Sequence, residues 1–86
     1  MIQTERMPSA IRISGQLGPA LRELRHQRGW SQTELGRRIG LSQERISSIE
    51  RQPERITVGQ LLTVLMALNG ELLLDTRPLP SPAQAW

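Results

Sequence analysis

The 86-residue chain has no cysteine and no lysine, and only one histidine. Without cysteine there is no disulfide and no thiolate metal site, which fits a reducing compartment. One histidine leaves too few ligands for a metal cluster, so neither a metal nor a cofactor is expected. No apolar run reaches the length of a membrane span, and the N-terminus lacks a signal-peptide core; the expected setting is the cytoplasm. No glycine-rich phosphate loop is present. The eight acidic residues are scattered, and nothing assembles a nucleophile, a base and an orienting group. Neither catalysis nor a small-molecule substrate is expected.

What is present is a mild basic excess, 11 basic residues against 8 acidic, for a net charge of +3. All the basic residues are arginines. Arginine suits planar, bidentate contact with phosphate and guanine, although a GC-rich genome would produce the same bias. A chain of this length is one small domain. Its limited core points to a dimer as a source of further stability.

The stretch Gly29 to Glu50, GWSQTELGRRIGLSQERISSIE, carries the most information. Ser31 and Glu34 have the spacing of a capping box, and Trp30 can pack on Leu35 as a hydrophobic staple. This predicts a helix over about 32–39 that stops at Gly40, a residue free to take the left-handed conformation. Ser42 caps a second helix, and Leu41 and Ile46 repeat the staple spacing. Leu35, Ile39, Leu41, Ile46 and Ile49 are expected to face one core. The opposite face presents Gln32, Arg37, Arg38, Gln43, Glu44, Arg45, Ser47 and Ser48. Two short helices about one turn apart, the second with a polar face suited to base edges, form a helix-turn-helix that reads DNA.

Residues 1–15 are expected to be a loose arm, in which Ile11 and Ile13 alternate with polar residues and allow a short extended piece to pack. A first helix is predicted over about 16–28, with Leu17, Leu21 and Leu24 at helical spacing. Pro19 is tolerable near its start, where backbone N–H groups lack helical partners. The RQPERI segment after Glu50 is expected to be a loop. Thr57 and Gln60 form a second box and open a fourth helix, with Ile56 and Leu61 as its staple. Leu61, Leu62, Leu65, Met66 and Leu68 form its apolar stripe, and Asn69-Gly70 ends it. Residues 71–77, ELLLDTR, are read as a strand. A lone strand is unstable, so Leu72, Leu73 and Leu74 are expected to pair with the same strand of a second copy. The domain is thus expected over 16–77. The tail 78–86 has three prolines in five residues and should be extended.

With the sequence SQTELGRRIGLSQERISSIE at its centre, the order of helices over about 16–69 resembles the Xre/Cro-type helix-turn-helix repressors. That resemblance implies an all-α, lambda-repressor-like domain of four to five helices, here with a short C-terminal strand that pairs across a homodimer. A Gly-Trp before the motif, an apolar strand straight after the fourth helix and a polar tail ending in Trp are similar to HipB-type antitoxins. By that narrower resemblance the chain is a bacterial, nucleoid-associated, dimeric repressor of its own operon that also restrains a HipA-type Ser/Thr kinase toxin. It departs from the pattern in its N-terminal arm, in Pro19 and in an acidic Glu44.

Phosphate contacts hold a protein on DNA and base contacts specify the sequence. Gln32, at a helix N-terminus, is placed to grip a phosphate, and by resemblance this is where the family makes that contact. Ser42 and Gln43 begin the helix whose first residues enter the major groove, and Gln43 matches adenine N6 and N7. Glu44 has two readings: accepting from cytosine N4, or favouring the helix start and pairing with Arg45. Ser47 and Ser48 reach a base or a phosphate. Arg45 is read as a phosphate or guanine contact. Arg37 and Arg38 either add phosphate attraction or form a solvated basic face. The resemblance implies an Arg25–Glu50 ion pair joining the first and third helices. Trp30 is read as core and His26 as surface. Trp86, a large aromatic at the end of a polar tail, is read as an anchor for a partner's apolar pocket, against the alternative of a chance terminus. The expected operator is an inverted repeat with half-sites about 34 Å apart, or a multiple of that. Two rivals stand beside this reading: a stand-alone Xre-type regulator with no toxin partner, and an adaptor that kept the fold and lost DNA binding.

Overall fold

A side-chain cap or a left-handed residue marks most of the helix boundaries, and these boundaries position the site. The computed structural model describes residues 10–76. Most of the expected arm and the whole expected tail, with Trp86, lie outside the described residues. A 3-10 turn, Ser14–Gln16, leads into α1, Leu17–Gln27. Gln16 Oε1 accepts from the N–H groups of Arg12 and Ile13 at 2.6 and 3.2 Å. Pro19 is the third residue of α1, where its missing N–H costs no helical bond. The helix closes at Gly29, whose φ is 73°. The N–H groups of Gly29 and Trp30 reach back to the carbonyls of His26 and Arg25, a Schellman ending. Ile11 and Ile13 do not pack as expected. They are 42% and 67% exposed.

Helices α2, Gln32–Ile39, and α3, Gln43–Arg51, lie where the caps predict them. Ser31 Oγ accepts from the Glu34 N–H and Ser42 Oγ from the Arg45 N–H, both at 3.0 Å. Only one arm of the Ser31–Glu34 box forms. Arg37 and Arg38 hold the Glu34 carboxylate at 3.0 and 2.8 Å, so it does not turn back to Ser31. Gly40, at φ 75°, supplies the left-handed residue of the turn between the two helices. The expected loop after α3 contains a 3-10 turn, Pro53–Arg55. Helix α4, Val58–Ala67, carries the complete Thr57–Gln60 box, with hydrogen bonds of 3.2 and 3.0 Å. Its left-handed stop is Asn69, at φ 58°, and the Gly70 N–H returns to the Leu65 carbonyl at 2.7 Å.

Leu21, Leu35, Ile46, Ile49, Val64, Leu65 and Leu68 form the buried core, with Leu17, Leu24, Trp30, Ile39, Ile56 and Leu61 packed around it. Three expected core residues fall outside. Leu41 sits at the tip of the α2–α3 turn and lines an open cleft of about 480 Å³ together with Ile39, Ile49, Thr63 and Val64. Leu62 and Met66 are exposed, because the side of α4 that meets the other helices runs through Leu61, Val64, Leu65 and Leu68. Two glycines allow close approach. A Cβ on Gly18 would collide with the Glu50 carbonyl, and one on Gly36 with the Leu41 carbonyl.

Residues 71–76 carry no regular secondary structure in the single chain. A strand needs a neighbour to complete its hydrogen bonds, and none is at hand among the described residues. Leu72, Leu73 and Leu74 are exposed, Leu74 at 94%. The described architecture is therefore an all-α helix-turn-helix domain of four helices. None of these helices is long and apolar enough to cross a membrane.

Candidate nucleic-acid interface

Helix α3 turns Ile46 and Ile49 into the core. Its other side is left to solvent: Ser42, Gln43 and Glu44 are exposed, and Arg45, Ser47 and Ser48 are half-buried. The first N–H groups of a helix have no intrahelical acceptor. The exposed start of α3 therefore combines a positive helix end with side chains that donate and accept.

Beneath this face lies a chain of polar contacts. Arg25 binds Glu50 through two hydrogen bonds, Nε to Oε2 at 2.6 Å and Nη2 to Oε1 at 3.1 Å. Both residues are buried, and the pair expected from the resemblance is present. Arg25 also donates to the Trp30 carbonyl at 2.9 Å, and Arg22 lies 3.6 Å from Glu50. Burial alone would push the Glu50 carboxyl up. Hydrogen bonds from Arg25 and Gln32, with the fields of Arg25 and Arg22, outweigh it and hold the carboxyl below its ordinary value. Gln32 Nε2 donates to Glu50 Oε1 at 3.0 Å, and Gln43 Nε2 donates to Gln32 Oε1 at 2.6 Å. The structure thus joins Gln32 and Gln43, which the sequence reading treats as separate contacts.

The arginines of the expected site have protein partners. Arg37 and Arg38 both pair with Glu34. The hydrogen bond from Arg37 is the main cause that lowers the Glu34 carboxyl, and the charges of both arginines add to it against slight burial. The Arg38 guanidinium also lies over the Trp30 ring. Their side chains are 77% and 49% exposed, and exposed pairs of this kind are weak, so both heads can turn to a phosphate at small cost. Arg45 reaches Gln60 Oε1 at 3.3 Å rather than Glu44. Trp30 is half-buried against the core and His26 is exposed, as expected.

Three further features escape the sequence reading. Gly18 lets α1 close on Glu50 of α3, and Gly36 lets the α2–α3 turn fold back on α2. Arg28 Nε donates to the Leu68 carbonyl at 3.1 Å and ties the end of α1 to the end of α4. The one available signal was a glycine inside each of two short helical patterns, which often marks close packing.

The helix-turn-helix family model matches residues 21–73. Antitoxin HipB of Escherichia coli (strain K12) is 34% identical over 67 residues, spanning 78% of this chain and 76% of that protein. Among solved structures, a chain of the HipB-O1-O2 complex is similar with a TM-score of 0.71 and 32% identity, covering 79% of this chain and 99% of that one. A chain of the HipA-HipB-O2-O3 complex is similar with a TM-score of 0.70 and 34% identity, covering 80% and 99%. Set beside a motif whose polar face is outward and whose core is shared by four helices, these likenesses show that the chain belongs to the HipB-type helix-turn-helix family of DNA-binding antitoxins.

Proposed function

We propose that two copies of this chain form a two-fold dimer that binds an inverted-repeat operator and places one α3 in each half-site's major groove. The dimer represses its own operon and holds a HipA-type Ser/Thr kinase toxin inactive, in the bacterial cytoplasm at the nucleoid. The observation that carries this reading is Gln43: it stands exposed at the start of α3, held by Gln32 from below. Gln43 reads adenine through N6 and N7. Glu44, Ser47 and Ser48 contact neighbouring bases or phosphates. Gln32 and Ser42 at the helix starts, with Arg37, Arg38 and Arg45, hold the backbone. The exposed run Leu72, Leu73 and Leu74 supports pairing of this segment with its copy. The HipA-HipB-O2-O3 neighbour supports the kinase partner, and Trp86 is assigned as an anchor on that partner.

The test is co-expression with the adjacent gene followed by binding to the DNA upstream of the chain's own gene. A co-purifying kinase and a shifted duplex support the proposal. A shifted duplex with no kinase makes the chain a stand-alone regulator. A kinase with no shift makes it an adaptor. Removing residues 78–86 is expected to spare DNA binding and weaken the kinase complex; equal complex formation removes Trp86 as an anchor.

A further inference from the structure

We propose that Glu44 is a specificity-determining residue for base reading: its carboxylate selects cytosine at the base pair next to the adenine read by Gln43, and excludes guanine and thymine there. This rests on Gln43 being a base reader.

Glu44 could meet a cytosine or serve as a partner for Arg45, and the structure separates the two. Arg45 turns to α4 and donates from Nη2 to Gln60 Oε1 at 3.3 Å. Gln60 is itself held in place, because its Oε1 also accepts from the Thr57 N–H at 3.2 Å. Arg37 and Arg38 of α2 are paired with Glu34. Ser42 Oγ accepts from the Arg45 N–H, and Gln43 donates to Gln32. Of residues 42–45, Glu44 is thus the one whose side chain has no partner among the described residues. It is exposed, an uncompensated acid in the first turn of α3.

Such a group is set against a polyanion when α3 enters the groove. A carboxylate has only acceptors, so it gains from DNA only where a donor meets it. In the major groove guanine shows N7 and O6, both acceptors, and thymine shows O4 and a methyl group. Adenine shows N6–H2 beside its N7 acceptor. Cytosine alone offers its donor, N4–H2, with no acceptor on the same base. Successive Cα atoms lie about 3.8 Å apart and successive bases of a strand about 3.4 Å, so the residue after Gln43 falls on the neighbouring base pair. The carboxylate then acts in two ways. It rewards cytosine, and it weakens binding to every duplex that lacks the donor. An acid in the first turn also favours the positive helix end, but that role changes stability and leaves base preference untouched.

The test is selection from a pool of duplexes with a randomised core by the full chain and by Gln43→Ala, Glu44→Gln and Glu44→Ala. The wild type is expected to enrich an inverted repeat whose half-sites carry an adenine, lost in Gln43→Ala, with a cytosine beside it. Glu44→Gln keeps the shape of the side chain and adds a donor, so it is expected to move the second preference from cytosine to adenine. Glu44→Ala is expected to flatten it. In the selected duplex, exchanging that C·G pair for G·C is expected to weaken the wild type about 5- to 150-fold and Glu44→Ala far less. On an unselected duplex at low salt, both Glu44 variants are expected to bind more tightly than the wild type. Variants that bind it no more tightly overturn the exclusion. If Gln43→Ala flattens its position while the Glu44 variants keep the wild-type preference beside it, or if the wild type enriches a base other than cytosine there, the assignment of Glu44 is wrong and DNA reading stands. If the wild type enriches nothing, DNA reading is wrong and the assignment falls with it.

Discussion

The guanidinium of Arg38 lies 4.1 Å from the centre of the Trp30 ring. It joins the last turn of α2 to the residue just before that helix's Ser31 cap, and Glu34 pairs with the same arginine at 2.8 Å. Trp30 is thus covered outside by a cation and inside by the core. The two partners contribute unequally, because one buries apolar surface and the other rests on it.

Trp30→Ala is expected to lower stability by about 3 kcal/mol, near the lower end for removal of a core aromatic. Arg38→Ala is expected to cost no more than about 1 kcal/mol, as for an exposed cation–π contact with a weak ion pair. Urea unfolding of the two variants measures the difference, and equal losses would contradict this account of Trp30.

Breaking the Arg25–Glu50 pair from one side strands a buried charge. Glu50→Ala is expected to lower stability by about 3–5 kcal/mol. The pH dependence follows from the direction of the shift. The folded carboxyl of Glu50 titrates below its ordinary value, so its stabilisation is fully present above the unfolded value of about 4.3. It is lost as pH falls through the lower folded value. The gap in urea midpoint between wild type and Glu50→Gln is therefore expected to narrow from pH 7 to pH 3. A gap that widens on acidification would reverse the sign of the argument.

The glycines separate by what a methyl group would meet. Gly18→Ala and Gly36→Ala drive a Cβ into a backbone carbonyl and are expected to destabilise by about 1–3 kcal/mol, as overpacking does. Gly59→Ala meets only Thr57 Oγ1 at 3.8 Å. In a helix it should stabilise by about 0.5–1 kcal/mol. Melting temperatures that fall for the first two and rise for the third are the expected result.

What was legible in the sequence was local. Ser31, Ser42 and Thr57 each cap a helix three residues from the N–H they accept, so spacing alone reveals them. Gly40 stops α2 for reasons contained in its own backbone. Glu34 shows where that legibility ends: its box partner is local, but Arg37 and Arg38 are local too, and two cations outcompete one N–H. The Arg25–Glu50 pair came only through the family resemblance, since nothing in the residues themselves links positions 25 apart. The Gln43–Gln32–Glu50 chain and the Arg28–Leu68 bond are products of packing and leave no trace in spacing. Leu72 to Leu74 read as a strand because apolar residues cannot remain in water, yet the hydrogen bonds of a strand must come from another segment.

The most direct test of the central claim exchanges one ring nitrogen of the DNA for a C–H group. Replacing the adenine opposite Gln43 with 7-deazaadenine deletes the N7 acceptor and leaves N6 in place. The wild type is expected to lose about 1–3 kcal/mol of binding to the selected duplex, and Gln43→Ala is expected to bind both duplexes equally. A penalty of the same size in both proteins, or in neither, would show that Gln43 does not read that base.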